Sequence, residues 1–201
     1  MALVAEELVQ EWLNRLGFFT IRGVKVGVYE VDLLAIRPRG DKWECWHYEV
    51  VGALRPMNYV TPLPKEIQKR EGIGPRNARK RTPEMMDLCV QDWVQKKYHT
   101  DAVERKRQAL FSGPWRFAFV LAKAKHPEEI SLIEKHGIKV VWLRDILAQL
   151  KSREFRAKQM IAGATGADLV EPQAEEKGRK ASPKKDFAGA VVAEEVSYEK
   201  E

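Results

Sequence analysis

Apolar side chains recur at helical spacing near the start of the chain, at Val4, Leu8, Val9, Trp12, Leu13 and Leu16, with Gly17 placed to stop the helix. Residues 18–25 are short and β-prone. Residues 28–36 read as a mostly apolar strand interrupted by Glu30 and Asp32. Turn chemistry fills 37–41 (Arg-Pro-Arg-Gly-Asp), and 42–51 form a second strand rich in aromatics, so the two strands predict an antiparallel hairpin.

The pattern then breaks. Pro56, Pro62, Pro64 and Pro75 punctuate 52–81, which leaves room for a short helix at most. Thr82-Pro83-Glu84 is a helix start, with threonine as the cap and proline at the first position. That helix runs to about Tyr98, and a second covers 100–111. Residues 117–122 are a continuous apolar run suited to a buried strand. A helix over 127–136 closed by Gly137, a strand at 138–143 and a helix over 144–160 complete the order. Strand–helix–strand alternation implies a parallel pair. The expected fold is therefore α/β, with a mixed central sheet (an antiparallel hairpin plus a parallel βαβ unit) flanked by helices. One domain spans 1–160, with a basic insertion at 55–112. Residues 161–201, rich in Gly, Ala, Glu, Lys and Pro without a period, are expected to be a disordered tail.

Composition adds little about the fold but something about partners. The 201 residues are 44% hydrophobic and 32% charged, ordinary for a globular protein. No apolar run approaches the roughly 18 residues of a membrane span, and the first residues lack a cationic leader, so a cytoplasmic protein is expected. Cys45 and Cys89 have no ligand spacing and read as reduced thiols. The net charge is +6, yet residues 163–201 hold 6 basic and 9 acidic side chains, which leaves 29 basic and 20 acidic before them. A body at +9 suits a polyanion, nucleic acid above all, although solubility charge would look the same.

Two carboxylates change the picture. A strand buried on both faces excludes unpaired acids, yet Glu30 and Asp32 share one face of the first hairpin strand. On its partner, Glu49 shares a face with Cys45, His47 and Val51. Pairing across the turn brings Asp32 towards Glu49, and two carboxylates held that close repel unless a cation lies between them. Oxygen ligands favour Mg2+ or Mn2+. The alternative is an edge hairpin whose polar face meets water. His47, His99, His126 and His136 have no zinc spacing, and no phosphate-binding glycine loop is present.

Residues 6–18 (EELVQEWLNRLGF) resemble the first helix of the Mrr-like restriction enzymes and archaeal Holliday-junction resolvases. Glu30-Val31-Asp32-Leu33-Leu34-Ala35 is similar to the Glu-x-Asp-Leu-x-Ala strand of their small bacterial relatives. His47-Tyr48-Glu49-Val50-Val51 stands where those families carry a strand ending in Glu-x-Lys. The resemblance is to the PD-(D/E)xK nuclease superfamily and implies a restriction-endonuclease-like fold. It covers 4–55 by motif and 115–148 by element order. It implies that Asp32 and Glu49 bind Mg2+ or Mn2+, and that Glu6, or its neighbour Glu7, approaches the same catalytic site from the first helix. Glu30 either supports the site from behind or faces solvent. The departure is Val51, which occupies the lysine position. Activity is then lost, retained through metal alone, or served by a cation from elsewhere, with Lys65, Lys69 and Arg55 within sequence reach.

Seven cations, Lys65, Lys69, Arg70, Arg76, Arg79, Lys80 and Arg81, stand against Glu66 and Glu71 in the basic insertion. They are expected to form a mobile phosphate-tracking arm, or else a solvated linker. Trp43, Trp46, Tyr48 and Tyr59 are candidates for base stacking, or for the core. The function expected is metal-dependent phosphodiester hydrolysis on DNA, in repair, recombination or defence. The alternative is a catalytically impaired nuclease-fold protein that binds nucleic acid as an adaptor. The oligomeric state stays open, a homodimer included.

Overall fold

Helix α1 (Ala2–Arg15) packs through Val9, Trp12 and Leu13 of the stripe that the apolar spacing marks out, joined by Ala5, while Val4 of that stripe is exposed. Gly17, at φ 80°, turns the chain into the sheet. The computed structural model describes residues 2–27, 29–53 and 57–152. Strands β1 (Phe19–Val26), β2 (Tyr29–Arg39) and β3 (Lys42–Val51) run antiparallel, and β4 (Trp115–Leu121) and β5 (Ile138–Trp142) continue the sheet parallel to β3. Their spatial order is their chain order, β1-β2-β3-β4-β5.

The β2–β3 turn is tighter than the sequence suggests. Residues 37–39 stay in the strand and only Gly40-Asp41 turn, with Gly40 at φ 58°. Pro38 pairs with Trp43 beyond Ile36, the last β2 residue that β1 accompanies, where an amide without a hydrogen is tolerated.

Helices α2 (Lys65–Glu71), α3 (Pro83–Tyr98) and α4 (Asp101–Leu110) lie between β3 and β4. Helix α5 (Pro127–Lys135) lies between β4 and β5, and α6 (Leu143–Lys151) follows. Thr82 caps α3 by accepting from the Met85 amide at 3.2 Å, and Thr100 caps α4 in the same way from Val103 at 3.3 Å.

Each sheet face is covered. Leu33, Ala35, Trp46, Tyr48, Val50, Ala118 and Val120 pack against α1 and α6, while Phe119, Leu121 and Ile138 pack against α3 and α5. The fold is therefore α/β, an open five-stranded mixed sheet between helices. Trp46, Tyr48 and Tyr59 are buried, so they serve the core and not base stacking; Trp43 is partly exposed and leans on Phe111 at 5.6 Å. The expected tail, and α6 beyond Lys151, fall outside the described residues. Among those described, no helix is long and apolar enough to cross a membrane.

Candidate active site

The register that pairs Leu33 with Tyr48 and Leu34 with His47 sets Asp32 opposite Glu49 one step further on, with both side chains on the α3–α4 face. Asp32 Oδ2 accepts the Val50 amide at 2.7 Å, so the carboxylate takes the place of a backbone partner in the ladder. Glu49 is only 2% exposed. Its Oε1 lies 3.0 Å from His47 Nε2, its Oε2 receives the Lys97 ammonium, and its carboxyl is within hydrogen-bonding reach of Asp32.

Burial raises both acids. Asp32 is pushed up to about 6, by desolvation first and then by the Glu49 charge, against the pull of the Val50 amide. Glu49 is pushed up to about 7 by desolvation, with Lys97 drawing it back down. Burial works to lower the pKa of Lys97, but the Glu49 charge and hydrogen bond outweigh it, and the net shift is upward. Lys97 is therefore a cation at neutral pH. Burial and Arg107 hold His47 well below its ordinary value, so its ring is neutral.

Lys97 is the residue that sequence reasoning missed. It arrives from α3, 48 positions from Glu49. Met86, Val90 and Trp93 form the buried stripe of α3, and Lys97 continues it at the next helical step, where an apolar residue is the rule. A lysine in a core register was the available signal. Arg107 repeats it on α4, four residues after buried Val103 and itself 0% exposed.

The acids of α1 divide. Glu6 is raised by burial and then by Asp32, which puts it within electrostatic reach of the pair, whereas Glu7 bonds Arg22 at 3.2 Å. Glu30 is exposed and pairs with Lys25. Among the described residues, no group of three or more His, Cys, Asp and Glu side chains is close enough to hold a metal ion. Two converging carboxylates with raised pKa values nevertheless fit Mg2+, which keeps most of its waters and needs only one or two protein carboxylates. A divalent cation there would offset the burial that raises both acids and the Glu49 charge that raises Asp32 further.

Val51 lies at the end of β3 and is packed against the α3–α5 cluster. Lys65 and Lys69 are exposed on α2, and no hydrogen bond or ion pair joins either to the carboxylates; Arg55 lies outside the described residues. Arg70, Arg76, Arg79 and Lys80 are exposed as well. Arg81 is not. Its guanidinium lies 3.9 Å over the Tyr59 ring, donates to the Thr61 carbonyl at 2.9 Å and sits 3.9 Å from buried Glu129. Arg81 therefore anchors the insertion and is not available as a phosphate contact.

The insertion is also tied down where a mobile arm was expected. Glu129 accepts the Val60 and Thr61 amides at 2.9 Å each and the Thr61 hydroxyl at 2.6 Å, and the Leu63 amide donates to the Pro75 carbonyl at 2.8 Å. No family model, curated protein or solved structure matches the chain.

Proposed function

We propose that the chain is a metal-dependent nuclease of the PD-(D/E)xK type, with a restriction-endonuclease-like core and its lysine moved from the β3 position held by Val51 to Lys97 on α3. The observation that carries this reading is the meeting of Asp32, Glu49 and the Lys97 ammonium at one end of the sheet. Asp32 and Glu49 would hold Mg2+ or Mn2+. When bound, such an ion lowers the pKa of a water and polarises a phosphoryl oxygen. Lys97 supplies a fixed positive charge next to the acids, where negative charge grows on the phosphate in the transition state. Glu6 adds negative potential from α1. The exposed cations Lys65, Lys69, Arg70, Arg76, Arg79 and Lys80 track the phosphate backbone of DNA.

One observation favours a second reading, a nuclease-derived adaptor that binds nucleic acid without cutting it. Lys97 already pairs with Glu49, so one of the two carboxylates has its countercharge from the chain itself. Cleavage of supercoiled plasmid and single-stranded DNA in Mg2+ or Mn2+ separates the two. The nuclease reading expects cutting by the native protein, abolished by chelator and lost in Asp32→Ala and Glu49→Ala. Tight binding with no cutting in either metal would overturn it in favour of the adaptor.

A further inference from the structure

His47 and Arg107 are both fully buried beside the carboxylates, and the hydrolytic scheme above uses neither. A guanidinium carries donors only. Arg107 Nη1 stands 2.9 Å from His47 Nδ1, so Nδ1 must be the accepting nitrogen. A neutral imidazole keeps one proton, which is then on Nε2, 3.0 Å from Glu49 Oε1. This assignment holds whichever protonation state Glu49 adopts, because a ring bare at both nitrogens would be an imidazolate.

Arg107 is itself aimed from several sides. Its Nη2 bonds Glu104 and its guanidinium carbon lies 4.9 Å from the Phe117 centroid. Tyr98 and Phe117 wall the imidazole at 4.8 and 6.3 Å. If this site needed only volume, leucine or methionine would fill it without desolvating a charge.

We infer that Arg107 is a positioning residue acting through His47: it locks the ring proton on Nε2, which pins Glu49 Oε1 and leaves Oε2, the oxygen on Lys97, as the one that can exchange its partner for a divalent cation. The statement about the cation rests on the nuclease reading, whereas the relay from Arg107 through His47 to Glu49 does not. Without Arg107 the ring is free to carry its proton on Nδ1 and turn a bare Nε2 lone pair on the carboxylate. Glu49 then loses its orienting donor. Partners that orient a metal-binding group in this way are worth about 10- to 100-fold in metal affinity.

The test uses the full chain labelled with 15N at histidine, read by long-range proton–nitrogen correlation, with Mn2+ binding measured by calorimetry on the same samples. Wild type should show His47 with an unprotonated Nδ1 and a protonated Nε2. Arg107→Lys, whose ammonium also only donates, should keep that tautomer. Arg107→Met should mix or reverse it and weaken Mn2+ binding about 10- to 100-fold. A wild-type His47 with its proton on Nδ1 overturns the inference, and that reading requires no variant to fold. So does a folded Arg107→Met that keeps both the tautomer and the affinity of wild type. Wild type that shows the Nε2–H tautomer but binds no Mn2+ sinks the nuclease reading and leaves the relay standing.

Discussion

Asp32 is held in the ladder by the Val50 amide and pressed by Glu49 from the neighbouring strand, so its proton has a different value in the folded and unfolded chain. Its pKa rises from the ordinary 3.8 to about 6. An acid raised by folding binds its proton more tightly in the native state, so its contribution is fully present below about pH 4 and is lost as pH climbs through 6. Asp32→Asn in chelator should therefore match wild type in stability near pH 4. It should gain on wild type between pH 4 and 6 and level off by pH 7, at an advantage on the order of 2–3 kcal/mol. His47 works in the opposite sense, since its lowered pKa costs stability as pH falls below its ordinary 6.5, so the difference between the two proteins is the quantity to follow. Urea midpoints across that range measure it, and a difference independent of pH would count against the strained pair. Asp32 and Glu49 were legible because strand period and hairpin register act over a few residues. Lys97 was not, because its partner is set by how α3 crosses β3, and local periodicity carries no information on that crossing.

The hairpin and the helix caps follow from local chemistry, and the sequence reading placed β3 at its observed bounds. The insertion was read less well. Its prolines, glycines and cations suggested mobility, while the residue that fastens it, Glu129, lies 68 positions beyond Thr61, in the first turn of α5. Glu129→Ala removes a fully buried carboxylate that accepts three hydrogen bonds and leaves Arg81 without its countercharge. A loss of about 3–5 kcal/mol is expected in urea unfolding; a loss below about 1 kcal/mol would show that the anchor is dispensable. The exposed cations make a separate prediction. Neutralising Lys69, Arg76, Arg79 and Lys80 together, with Arg81 left as the anchor, should weaken DNA binding. The slope of log affinity against log salt should become shallower by about 0.9 for each duplex phosphate that the variant no longer neutralises. An unchanged slope would assign these charges to solubility.

The α/β class, the mixed sheet and the helices on both faces were all readable from element order and periodicity. Arg81, expected as a phosphate contact, and Lys97 and Arg107, which the sequence did not single out, each meet a partner far away in the chain; Arg81 and Arg107 are buried and Lys97 is half-buried. Lys97 of α3 reaches the carboxylate pair directly and Arg107 of α4 reaches it through His47, whereas Arg81 is held at Glu129 of α5. The proposal that the carboxylate site cleaves phosphodiesters is tested most directly by the single-turnover cleavage rate of plasmid DNA at saturating Mn2+, in wild type and in Lys97→Met. Cutting by wild type, slowed about 10²- to 10³-fold in the variant with Mn2+ affinity kept or tightened, is the expected result. Equal rates in the two proteins, or no cutting by either, would contradict it.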